Sequence, residues 1–129
     1  MSNNVDWSNP YADRNGQWLK GNLHTHTSPA SGCGEISVED CLNQYVKLGY
    51  DFLAISDHLN YTKYQDDRIT ILPGVEWNSI TGHHTGVYSM NDTDIKAVNK
   101  ISDQDELLEM FADTDALVIL DTRVEGVEL

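Results

Sequence analysis

Two cysteines, three prolines and eight basic side chains in 129 residues are the scarcities of this chain, and each closes off a class of protein. Cys33 and Cys41 are too few for a secreted disulfide framework, and Cys41 falls on the apolar face of a helical pattern, so both thiols are expected to be reduced. Against the 8 Lys and Arg stand 21 Asp and Glu, a net charge of −13 whose field repels phosphate backbones and anionic lipid headgroups. Nonspecific nucleic acid is therefore not an expected partner. No run approaches the ~18 apolar residues of a membrane helix, and the polar N-terminus lacks the hydrophobic core of a signal peptide. No membrane association is expected, and a cytoplasmic location is the default. Internal repeats, low-complexity tracts and a second domain are missing as well.

What is there fits one domain, because 129 residues cannot house two cores, and 40% apolar with 22% charged residues describes a chain that folds. Residues 1–16 are rich in Asn, Asp, Ser and Gly and read as a lead-in segment with Trp7 and Tyr11 as anchors; the domain proper spans 17–129. A strand is expected over Gln17 to Thr27, ended by the loop that holds Ser28, Pro29, Ser31, Gly32 and Gly34. Ser37 then caps a helix, with Asp40 as capping-box partner, Val38, Cys41, Leu42, Tyr45 and Val46 on its buried face and Gly49 as its stop. The apolar run 50–56 suits a buried parallel strand. A strand over 68–72 should break at Pro73 and Gly74, resume over 75–80 and turn near Thr81 and Gly82 into a hairpin partner at 84–90. A second helix is expected from Ser102 as N-cap, burying Leu107, Leu108 and Phe111, before an apolar strand at 116–120. About five strands and two main helices in alternation predict an α/β fold with a mainly parallel sheet or an open part of a barrel, in which ligands gather at the carboxyl ends of strands.

All five histidines fall into three clusters placed at such ends. His24 and His26, two residues apart on a strand, share a face with Cα atoms roughly 7 Å apart and can converge on one ion. Asp57 and His58 directly follow an apolar strand. Glu76 lies in an otherwise apolar stretch, where a carboxylate without cation or hydrogen-bond partners costs several kcal/mol, an order of magnitude that a bridged pair of cations removes. His83 and His84 are adjacent and so face opposite ways when extended; His84 is favoured as the ligand because Gly86 shares its side and leaves room. Cys33, in a Gly-flanked loop near the histidine pair, offers a soft ligand, with an inert thiol as the alternative. Imidazole and carboxylate donors suit zinc, manganese or iron better than calcium. Bound cations are also what would let so acidic a chain accept a small phosphorylated substrate. Tyr61, Tyr64 and Trp77 read as core or rim packing rather than as a substrate platform.

HTHT at 24–27, ISDH at 55–58, LPGVEW at 72–77 and GHH at 82–84 together resemble the PHP (polymerase and histidinol phosphatase) superfamily of metal-dependent phosphoesterases. The lead-in WLKGNLHTHT and the CG of the next loop look most like its stand-alone, CehA/McbA-like hydrolases. The resemblance covers about residues 17–120. It implies a distorted seven-stranded β/α barrel with two or three divalent metal ions and a metal-bound hydroxide that attacks phosphorus. It further implies that His24 and His26 bind one ion, that Glu76 bridges to a second held by His84, and that His58 serves a third position with Asp57 beside it as the catalytic pair.

The chain departs from that pattern in three places. Ser31, a poor ligand, stands where the family usually carries an Asp, so the expected count is two or three ions. Between ISDH and LPGVEW there is only the short connection NYTKYQDDRITI. After ALVIL the family's HP motif is replaced by Asp121, Thr122 and Arg123, and a full barrel needs roughly 200 residues or more. The expectation is the N-terminal portion of a PHP domain, whether truncated, naturally short or a fragment, with open sheet edges that favour a homo-oligomer. A catalytically silent metal-binding or assembly module is the alternative reading.

Overall fold

The computed structural model describes residues 9, 11, 12 and 15–123. Trp7 and most of the 1–16 lead-in lie outside the described residues, as does the tail from 124 onward. The fold is α/β: a five-stranded sheet curled into half a barrel, with three helices. In chain order the elements are β1 (Gly21–Asn22), α1 (Val38–Lys47), β2 (Phe52–Ile55), β3 (Thr70–Asn78), β4 (His83–Tyr88), α2 (Asp92–Ala97), α3 (Gln104–Phe111) and β5 (Leu117–Arg123), with a 3-10 turn at Val98–Lys100 between α2 and α3.

Strand order follows chain order from β1 to β5. The first three strands are parallel, and β4 and β5 each join antiparallel. Of the two forms expected, the open part of a barrel agrees with this sheet and the mainly parallel one does not: a short hairpin at Gly82, whose φ is 82°, needs no crossover helix and must reverse the chain. Pro73 and Gly74 do not break β3 either. The strand changes partner there, pairing with β2 through Pro73 and with β4 from Gly74 onward, so the missing proline N–H falls where one ladder hands over to the next.

Alternation along the strands decides what faces where. Val75, Trp77 and Val87 point outward and are buried under Ile95 of α2, Val98, and Leu107 and Phe111 of α3. Trp77 donates its indole N–H to the Ile101 carbonyl at 2.9 Å and belongs wholly to this core. Leu53, Ile55 and Ile69 make a second core against Cys41 and Leu42 of α1. Each such fully buried aliphatic side chain stabilises by about 1.5–3 kcal/mol. The intervening positions, Gly74, Glu76 and Asn78 on β3 and His84, Gly86 and Tyr88 on β4, line the concave face.

Helix α1 forms as its capping pattern dictates: Ser37 Oγ accepts from the Asp40 amide at 3.1 Å and donates to Asp40 Oδ2 at 2.9 Å, and Gly49 at φ 72° ends it. The second expected helix starts one residue later than the sequence suggested. Asp103, not Ser102, is its N-cap, accepting from the amides of Asp105 and Glu106, and the resulting phase buries Leu107 and Phe111 but leaves Leu108 exposed. Helix α2 was not anticipated; with six residues and the Asn91 cap, it carries only Ile95 into the core, too short a period to read. The strand expected over 17–27 shrinks to Gly21–Asn22, and Trp18 and Leu19 are exposed, Trp18 stacking on Tyr11 with ring centroids 5.5 Å apart.

Candidate metal centre

His24 and His26 lie beyond β1 in an extended segment held mainly by side chains rather than by a ladder. Asn22 folds back to accept from the His24 amide at 3.1 Å and to donate to the His24 carbonyl, Thr25 Oγ1 and Tyr45 OH. The Ser56 amide donates to the Thr25 carbonyl, and Ser56 Oγ accepts from the Thr25 amide. The period of two survives without the strand: Thr25 and Thr27 turn inward and are buried, and both imidazoles turn to the concave face. Gly34 lets the following loop close against this segment, because a Cβ there would sit 2.4 Å from the Thr27 carbonyl.

Asp57 is fully buried beneath the histidines. Its Oδ1 accepts from the Thr27 amide at 2.6 Å and Ser31 Oγ at 2.8 Å, and its Oδ2 from Thr27 Oγ1 at 2.7 Å and Thr62 Oγ1 at 2.5 Å. The carboxylate thus ties the 25–31 segment and the 58–62 loop to the end of β2. Ser31 is part of the same knot, since its Oγ also accepts from the His58 amide at 2.9 Å. The strand end continues as a bridge: the Glu76 amide donates to the Asp57 carbonyl and the Leu59 amide to the Glu76 carbonyl, with Leu59 driven to φ 49° as the chain turns away.

Glu76 is 1% exposed and is the centre of the cluster. Its Oε2 lies 3.1 Å from His24 Nε2, 2.9 Å from His26 Nε2 and 3.5 Å from His58 Nδ1, and its Oε1 lies 2.7 Å from His84 Nδ1. His24 Nε2 and His26 Nε2 are themselves 2.9 Å apart, so these two nitrogens and Oε2 form a nearly equilateral triangle. Donors bonded at about 2.1 Å to one ion at near-right angles stand about 3 Å apart, which matches that triangle. Oε2 has no hydrogen-bond partner despite three imidazoles around it, as expected of lone pairs converging on a cation rather than on a proton. His24, His26 and Glu76 are one group able to hold a metal ion, and His58, Glu76 and His84 are another. The residues and their spacing fit a bound metal ion.

His26 and His58 stack with centroids 4.4 Å apart and 14° between planes. Burial holds His26 below the ordinary histidine range and so favours the neutral imidazole that ligation requires, against the raising influence of the Glu76 carboxylate. His58 Nδ1 lies 3.0 Å from Asn78 Oδ1 and 3.5 Å from Glu76 Oε2, which fixes the rotation of the ring against both. Of the adjacent pair, His84 enters the cluster and His83 stays outside it, near Thr81 Oγ1 at 3.2 Å. Cys33 is exposed, yet its sulfur is within 4.8 Å of ring nitrogens of His26 and His58, a third group with ligand spacing; Cys41 is buried in α1, where burial raises its thiol pKa.

One participant escaped the sequence reading. Asp121, near the end of β5, is half buried overall with a carboxylate only 9% exposed, and its Oδ2 lies 3.5 Å from His24 Nδ1. Burial pushes its carboxyl pKa up, against the lowering influence of His24. The available signal was a carboxylate directly after the apolar run ALVIL, the arrangement already seen at Asp57 after FLAIS. A cleft of about 510 Å³ lined by Tyr50, Asp51, Tyr64, Asp66, Arg68 and Thr70 opens at the other end of the parallel strands, far from these donors. No helix among the described residues is long and apolar enough to cross a membrane.

The chain matches no protein-family model and no curated protein sequence.

Proposed function

We propose that this chain is a metal-dependent hydrolase of the phosphoester type, built on the PHP pattern, with two divalent ions of the zinc, manganese or iron class. The observation that carries it is a single buried carboxylate, Glu76, approached on both oxygens by ring nitrogens of four histidines from three separate stretches of chain. His24, His26 and Glu76 Oε2 would hold one ion; His58, His84 and Glu76 would hold the other.

Metal ions held by these residues would supply Lewis acidity toward water and a phosphoryl group. The protein side of the chemistry is positioning. Asp57 spends both oxygens on fixing the segments that carry His26 and His58, and Asn78 fixes the rotation of the His58 ring. With a chain charge of −13, a phosphorylated substrate approaches only where this field is locally reversed, which confines its binding to the histidine-lined concave face.

The test is release of inorganic phosphate from p-nitrophenyl phosphate with added Mn²⁺ or Zn²⁺, by wild type and by His26→Ala. Metal-dependent turnover that falls at least about 100-fold in the variant supports the assignment. Stoichiometric metal with no turnover on a panel of phosphomonoesters and phosphodiesters would instead favour a catalytically silent metal-binding module.

A further inference from the structure

Between β4 and β5 the ladder slips by one residue: Thr85 pairs with Leu120, whereas His84 pairs with Thr122. Asp121 is the extra residue, a β-bulge in the last turn of pairing before the site. Bulges of this kind re-aim a side chain, and they recur beside functional sites. Alternation from Leu117 and Ile119, the partners of Tyr88 and Gly86, sets Asp121 on the concave face, and its carboxylate lies beside Gly86.

The space it enters is kept open by that glycine. A Cβ at position 86 would sit 2.8 Å from Asp121 Oδ2 and 2.4 Å from the Tyr88 hydroxyl. Asp121 Oδ2 is buried and has no hydrogen-bond partner, and the same holds for Tyr88 OH and Glu76 Oε2. Two buried carboxylate oxygens without hydrogen-bond partners, Asp121 Oδ2 beside Gly86 and Glu76 Oε2 on its ladder partner, are costly in a resting fold and point to charge supplied from elsewhere.

The imidazole of His24 lies between this carboxylate and the donor triangle. Its Nδ1 faces Asp121 Oδ2 at 3.5 Å, and its Nε2 faces His26 Nε2 and Glu76 Oε2 at 2.9 and 3.1 Å. At 3.5 Å the contact is an ion-pair distance rather than a formed hydrogen bond, which is why Oδ2 is unpartnered. A carboxylate behind a ligating imidazole keeps the ring proton on the rear nitrogen, presents the front lone pair to the ion and raises its basicity. His24 needs this more than its neighbours do, because its side chain is 39% exposed against 19% for His26 and His84.

We infer that Asp121, set beside the β5 bulge with its carboxylate facing His24, is a positioning residue that orients His24 from behind and strengthens its hold on a divalent cation. The inference rests on the metal-binding part of the function proposed above and adds to it a residue outside the motifs that suggested it.

The experiment is Zn²⁺ affinity, measured by competition with a chromogenic chelator, for wild type, Asp121→Asn, His24→Ala and the double variant, with melting temperatures of the metal-free proteins alongside. Expected is a 10- to 100-fold weaker affinity in Asp121→Asn, with the metal-free melting temperature unchanged or raised because an unpartnered buried carboxylate is gone. In the His24→Ala background the same substitution should change affinity by less than about threefold. Co²⁺-loaded Asp121→Asn should show shifted d–d bands at unchanged stoichiometry. An affinity within twofold of wild type, or an equal loss in both backgrounds, would overturn the inference while leaving metal binding intact. A wild-type chain that binds no Zn²⁺ would overturn both together.

Discussion

His84 Nδ1 stands 2.7 Å from Glu76 Oε1, although neither residue is the other's partner in the ladder: His84 pairs with Asn78, and Glu76 with Gly86. They meet diagonally across the antiparallel pair, a separation that long polar side chains span. The neighbouring His83 points away by strand alternation. Substitution of His84 by Ala should therefore remove metal bound at the second group of donors, and His83→Ala should leave metal content at the wild-type level. Atomic absorption on both variants, dialysed against the same buffer, separates them; equal loss in the two would show that the hairpin register is not the one described.

Asp57 should matter first for stability. Its carboxylate accepts from three side-chain hydroxyls and one amide, all buried or nearly so. Hydrogen bonds to a charged group contribute about 1.5–3 kcal/mol each, without strict additivity, so Asp57→Ala is expected to destabilise the metal-free protein by at least about 3 kcal/mol. Urea unfolding followed by tryptophan fluorescence gives the number, and a loss under about 1 kcal/mol would contradict the role described for it.

Gly86→Ala is a one-carbon probe of the concave face. The added methyl meets Tyr88 OH at 2.4 Å and Asp121 Oδ2 at 2.8 Å, contacts that force side chains to shift. Overpacking of this kind costs about 1–3 kcal/mol. Combining it with Tyr88→Phe, which removes the nearer clashing oxygen, should recover part of the loss in thermal unfolding; no recovery would place the strain elsewhere.

The loop from 58 to 68 is tied to α2 by Tyr61, whose hydroxyl donates to Asp92 Oδ1 at 2.7 Å. Burial first, then the bond to Asp92, pushes the phenol up to about 12. The folded-state value lies above the unfolded one of about 10, so the associated stability is fully present below pH 10 and is lost as pH rises through 12. Wild type should lose stability steeply over that window, and Tyr61→Phe less so. Parallel denaturation curves at pH 8, 10 and 11.5 make the comparison; identical slopes would contradict it.

Much of this site was legible because its ligands obey short-range rules. Glu76 in an apolar stretch, two histidines spaced by two, and a glycine two residues after His84 each state a chemical requirement within a few residues, and the fold brings them together. Asp121 was not legible in that way. Alternation along β5 turns it inward, but its meeting with His24 is set by pairing across the sheet, not by neighbours in sequence. The sheet was misread for a related reason: Pro73 looks like a strand end locally, but β3 exchanges partners there, and only the three-dimensional arrangement shows that the missing donor is not needed. The Asp103 cap differed from the expected Ser102 by a single position, since both residue types cap well and the choice rests on which phase buries Leu107 and Phe111.

The most direct test is the metal content of the purified chain by elemental analysis, read beside Glu76→Gln, which keeps the shape of the side chain and removes the charge shared by both groups of histidines. Expected is at least one equivalent of zinc, manganese or iron per wild-type chain and less than about a tenth of that in the variant, with both proteins folded by circular dichroism. A folded wild type without bound metal after growth and dialysis in its presence, or a variant that holds as much as the wild type, would contradict the proposal that four imidazoles gather around this carboxylate to share cations.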